Sequence, residues 1–156
     1  MLRWLWLSVV VVALDQASKL WVSSVLHFQE PLAVIPFFNL TLMHNFGAAF
    51  SFLAGAGGWQ RWFFAAIALT VSIAITLWLK RLGEHQRWEA ASLALVLGGA
   101  LGNLWDRLTL GYVVDFLDVY YGANHWPAFN IADSAITIGA VLLVSDLLFR
   151  QPHGKA

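Results

Sequence analysis

The chain has 156 residues, of which 60% are hydrophobic and only 12% charged, against roughly 45–50% apolar usage in soluble domains. With a mean hydropathy of +0.68, it reads as an integral membrane protein that crosses a bilayer about four times at most. Nine Lys plus Arg balance nine Asp plus Glu and there is no cysteine, which removes thiolate nucleophiles, disulfides and Cys-ligated metals and leaves no sign of a nucleic-acid partner.

Four segments have spanning length, at about 2–26, 59–79, 88–108 and 130–149. Segments 27–58 and 109–129 remain as outer elements of a single membrane-embedded domain covering 1–156. The first span imitates a signal peptide, but it contains Asp15 and Lys19 and lacks a small-x-small cleavage site, so it is expected to be retained. Arg3, Lys80, Arg81, Arg87, Arg150 and Lys155 flank span ends on one side, whereas 27–58 has no Lys or Arg. The positive-inside rule then places both termini in the cytoplasm and the first and third loops outside.

In the first outer segment Pro31 and Pro36 break any helix, while Phe38 to Leu42 alternates apolar with polar as a half-buried strand does. Its expected partner is Gly111 to Val119, rich in Val, Phe and Tyr, giving a small sheet on the outer ends of four helices. Between them, Asn45 to Phe52 carries small residues suited to lying flat on the bilayer.

Ionisable groups inside a membrane are expensive and point to function or to internal pairing. Asp15 and Lys19, spaced i, i+4, share a helix face, either as an ion pair that fixes packing or in contact with substrate. Asp146 and Arg150 have the same spacing at the cytoplasmic end and read as an interfacial salt bridge. Gly98 to Gly102 allows close helix approach, and Asn103 with Arg107 puts an amide and a guanidinium on one face. Arg107 and Asp106 either mark the interface or orient a peptide or lipid headgroup.

Asp115 and Asp133 flank the last outer loop and lie at one level near the outer surface. If close together, they would share one proton, with one carboxylate activating water and its protonated partner polarising a carbonyl. Asp133 is otherwise a helix-start acid favoured by the dipole. Asp118, three residues beyond Asp115, is expected to be a solvated loop acid. His44 and His125 lack metal-site spacing, and no HExxH, CxxC or GxxxxGK[ST] is present, so no metal or cofactor is expected. A proton-coupled carrier using Asp15, Lys19, Asp115 and Asp133, or a non-catalytic lipid-binding protein, are the other readings of these residues.

In combination, DQASK around Asp15 and Lys19, NFGAAFS from Asn45, GGALGNLWDR from Gly98, GYVVDF from Gly111 and FNIADSAI from Phe129 resemble the bacterial lipoprotein signal peptidases, or signal peptidase II. The resemblance covers essentially the whole chain. It implies four transmembrane helices, an outer β-sheet cradle and a short amphipathic helix over the site of an aspartic endopeptidase in the bacterial inner membrane. On that match Asp115 and Asp133 fall on the catalytic positions. Asn45, Gly99, Asn103, Arg107, Asn130 and Ala132 fall on positions that line or support the site, and Asp15 and Lys19 on first-helix polar positions. The implied substrates are prolipoprotein signal peptides, cut just before a diacylglyceryl-modified cysteine, with membrane phospholipids as surroundings and globomycin-type peptides as inhibitors.

Overall fold

A computed structural model describes residues 1–47 and 57–149. Four long helices carry the apolar segments: α1 (Leu5–Val25), α2 (Trp59–Arg81), α3 (Arg87–Thr109) and α4 (Ile131–Phe149). Their bounds follow the expected spans within a few residues. One correction falls at the start of α4, where Asn130 caps the helix from outside it. The short helix expected over the site and Arg150 lie outside the described residues.

Among the described residues three helices, with α1 extended by a 3-10 turn from Leu2, are long and apolar enough to cross a membrane: Leu2–Val25, Trp59–Arg81 and Ile131–Phe149. The exception, α3, packs against each of the other three. On the faces those helices cover it can carry polar residues that a lipid-facing surface cannot, and Glu89, Ser92, Asn103 and Asp106 are all buried on it. Its glycines permit the close approach. A Cβ at Gly98 would lie 2.7 Å from Val11 Cβ of α1, one at Gly102 2.6 Å from Asp15 Oδ2, and one at Gly99 would collide with the Ala132 carbonyl of α4.

Arg3 pairs with Glu84 in the α2–α3 turn at 2.8 Å, so the N-terminus and that turn share one end of the bundle. The opposite end carries a four-stranded antiparallel sheet in the order β1 (Pro31–Ile35), β2 (Phe38–Asn45), β3 (Val113–Tyr121), β4 (Asn124–His125). The expected β2–β3 pairing is present, with Asn39 opposite Asp118 and Met43 opposite Asp115. A register shift between Leu40 and Met43 inserts one extra residue in β2, a bulge of the kind that re-aims side chains. β1 and β4 extend the sheet beyond what the alternation of residues indicates.

Candidate active site

α4 begins with a reciprocal cap. The Asp133 N–H donates to Asn130 Oδ1 at 2.8 Å, and the Asn130 N–H donates back to Asp133 Oδ2 at 3.3 Å. Asn130 is fully buried, and its side-chain amide also donates to Asp115 Oδ1 at 2.7 Å. One residue therefore joins the two carboxyls that the sequence singles out. Asp115 accepts a second bond from Asn45 Nδ2 at 3.0 Å, and Asp133 one from Asn103 Nδ2 at 2.7 Å. Asp115, Asp133, Asn45, Asn103 and Arg107 all line one cavity of about 820 Å³, which is lined as well by Trp126 to Phe129 and, on α4, by Ser134, Thr137 and Ile138.

Asp115 is only 3% exposed. Burial is the main reason that its pKa rises from 3.8 to about 7, and the nearby Asp133 charge raises it further, while Asn45, Lys19 and Asn130 oppose the shift. No ion pair reaches Asp115 or Asp133 among the described residues. Arg107 is engaged elsewhere: its guanidinium donates to Gly47 O at 2.9 Å and Asn103 O at 3.3 Å, and lies over the Phe64 ring.

Beneath the pair, Lys19 Nζ sits 2.7 Å from Asp15 and 2.9 Å from Asp106, and donates to Asn103 Oδ1 at 3.1 Å. Asp15 and Lys19 thus form an internal ion pair, the packing alternative of the two open for them. The two acids reach outward as well. Asp15 Oδ1 accepts the Ala132 N–H at 2.9 Å, and Asp106 Oδ2 accepts the Val114 N–H at 3.1 Å. Each of these amides precedes one aspartate of the pair, so the ionic cluster pins the backbone beside both. Gly99 and Ala132 meet where α3 crosses the start of α4.

Asp106, left by the sequence as either an interface marker or part of a headgroup- or peptide-orienting pair with Arg107, is 1% exposed. The available signal is its spacing: four residues beyond Gly102, it lies on the face that packs against Asp15. Asp118 is a second correction. Far from being solvated, it is buried and bonded to Asn39, Thr41 and His125. His44, which offers little in sequence, lines the cavity and stacks on Tyr112 at 4.1 Å, and burial lowers its pKa. Among the described residues no group of three His, Asp or Glu could hold a metal ion.

A family description, signal peptidase (SPase) II, matches residues 7–149. The chain belongs to the signal peptidase II family. Members of this family are aspartic peptidases, so the chain is an enzyme of that class. It is 56% identical to a lipoprotein signal peptidase of Pseudomonas fluorescens, over 99% of this chain and 92% of that one. Identity to the lipoprotein signal peptidase of Acinetobacter baumannii is also 56%, over 96% and 85% of the two chains. Two bacterial membrane enzyme structures solved by the in meso method superpose with TM-scores of 0.86 and 0.82, at 32% and 34% identity. They cover 99% and 96% of this chain, and 94% of each solved chain is matched. Family and apolar helices together make this a bacterial membrane protein.

Proposed function

We propose that this chain removes signal peptides from diacylglyceryl-modified prolipoproteins, cutting just before the lipidated cysteine with Asp115 and Asp133 as the catalytic residues. The observation that carries the reading is the sharing of one cavity by two carboxyls that Asn130 ties together. Asp115, with its pKa near 7, holds the shared proton, and Asp133 is the carboxylate. Asp133 takes a proton from water, whose oxygen attacks the scissile carbonyl carbon, while Asp115 gives its proton to the carbonyl oxygen. The resulting gem-diol collapses as the C–N bond breaks. Its nitrogen leaves protonated through Asp133 and a diol hydroxyl returns a proton to Asp115, giving a carboxylic acid and a free amine. Activity then falls as pH rises through about 7 and Asp115 ionises.

In this reading Asn45, Asn103 and Asn130 hold the carboxyls, and Arg107 orients the peptide or a lipid headgroup. Gly99 and Ala132 keep α3 and α4 close, and Asp15 with Lys19 anchors them from below. The whole chain is one membrane-embedded unit with four spans, α3 being the one that packs against all the others. It sits in the inner membrane with both termini cytoplasmic and the cavity near the outer face, where a lipid-anchored precursor delivers its cleavage site among phospholipids. Globomycin-type peptides compete for that cavity. The test is cleavage of a lipid-modified precursor peptide by the purified protein in lipid-detergent micelles, with and without globomycin. Cleavage that globomycin blocks and that disappears in both Asp115→Asn and Asp133→Asn is expected; robust turnover by Asp115→Asn sinks the assignment.

A further inference from the structure

Asp118 lies on the same strand as Asp115 but serves different partners. Its Oδ2 accepts from Thr41 Oγ1 at 2.9 Å and Asn39 Nδ2 at 3.3 Å, and its Oδ1 lies 2.7 Å from His125 Nδ1. Burial alone would raise its pKa, but the bonds from His125, Thr41 and Asn39 outweigh that and hold it below the usual carboxylate range. Asp118 is therefore an ionised acceptor at neutral pH, and the proton between it and His125 sits on Nδ1. The imidazole also stacks on Tyr120, with centroids 5.3 Å apart.

The position of His125 in the chain gives this contact its consequence. It ends β4, and the next four residues, Trp126 to Phe129, form one wall of the cavity. The far end of that strap is firmly held: the Phe129 N–H donates to Leu117 O, and its carbonyl accepts from the Phe116 and Leu117 N–H groups. Asn130 follows, locked by its own bonds to Asp115 and Asp133. The near end has the Trp126 N–H on Val119 O and two ladder pairs of β4, a very short strand. So small a ladder is marginal by itself.

We propose that Asp118 and His125 are positioning residues that clamp the start of the 126–129 strap and so shape the wall against which substrate binds. This rests on the peptidase reading above and concerns binding, because Asn130 and the carboxyl pair are anchored without the clamp. Loosening it raises KM and spares kcat.

The experiment compares wild type with His125→Ala, His125→Asn, Asp118→Asn and the double variant Asp118→Asn/His125→Ala. Each is assayed on the same lipid-modified precursor peptide, with thermal midpoints measured alongside. His125→Ala and Asp118→Asn are each expected to raise KM about three- to tenfold with kcat within about twofold of wild type. His125→Asn, whose Nδ2 takes the place of Nδ1, recovers most of the wild-type KM, and the double variant is no worse than either single one. Should His125→Ala not accumulate, Asp118→Asn and His125→Asn carry the same comparison. An unchanged KM in the variants that fold, or a kcat loss that merely tracks a lower thermal midpoint, overturns the proposal. Absence of cleavage by the wild type overturns the peptidase reading instead, and the clamp with it.

Discussion

Asp15 and Asp106 share one ammonium, that of Lys19, at 2.7 and 2.9 Å. Among the described residues Asp115 and Asp133, one layer nearer the sheet, receive amide hydrogens, from Asn45, Asn103 and Asn130. The same residue type, buried at Asp15, Asp106 and Asp115 and half-buried at Asp133, is thus held in two different ways. An ammonium between two carboxylates holds both side chains in place, and the ion pairs can then serve as scaffold. Amides support a carboxylate without forcing it to stay ionised, as the proposed proton transfer requires. The two layers are joined at Asn103, which accepts from Lys19 and donates to Asp133, and at the Ala132 and Val114 amides.

If the layers divide the work in this way, single substitutions should separate them. In the upper layer, Asp115→Asn and Asp133→Asn should each lower cleavage by roughly a thousandfold or more while the protein still accumulates, as expected for loss of a general acid or base. In the lower layer the order of effects reverses. Lys19→Met leaves two carboxylates buried without their cation and should cost about 3–5 kcal/mol of stability, visible as lost accumulation and a lower thermal midpoint in detergent. Adding Asp15→Asn and Asp106→Asn should recover much of that loss, because an uncharged cluster has no unpaired ion to bury. If Lys19→Met folded normally but did not cleave, the lower layer would belong to the chemistry instead. Gly99→Ala is a milder probe of the join between the layers. Its new methyl meets the Ala132 carbonyl, and an overpacked contact of this kind costs about 1–3 kcal/mol.

The helices are legible in the sequence because a bilayer imposes a length, and the apolar runs at 59–79 and 130–149 reappear as α2 and α4. The β2–β3 pairing follows from strand-like composition. β1 is obscured by its leading Pro31, and β4 is only two residues long, too short for any periodicity. Among the polar residues, Asp115 and Asp133 stand out because they flank an outer loop, and Asp15 with Lys19 because i, i+4 spacing is local information. Asp106 and Asp118 mislead for a common reason. Their partners are Lys19 in one case and Asn39, Thr41 and His125 in the other, and apart from His125 these lie on elements distant in sequence. Spacing shows which face a residue shares, but what covers that face is decided by packing.

The smallest effect bears most directly on the proton proposed to move between Asp115 and Asp133. The folded chain holds the Asp115 carboxyl at a pKa of about 7 against an ordinary 3.8, so between those values the folded form binds a proton that the unfolded form releases. Stability from this group is complete below about pH 4, is lost as pH rises through the window, and stays lost above about 7. Asn cannot ionise, so Asp115→Asn should match wild type at pH 4 and exceed it at pH 8. The gain should be about 1–2 kcal/mol, less than the roughly 1.4 kcal/mol per pKa unit implies, because a chain denatured in detergent keeps the carboxyl partly dehydrated. Thermal midpoints of the two proteins across pH 4–8 make the comparison. A difference that does not grow with pH would mean that Asp115 carries the same charge in the folded and the unfolded chain, and the contrast between the two layers would fail at its central residue.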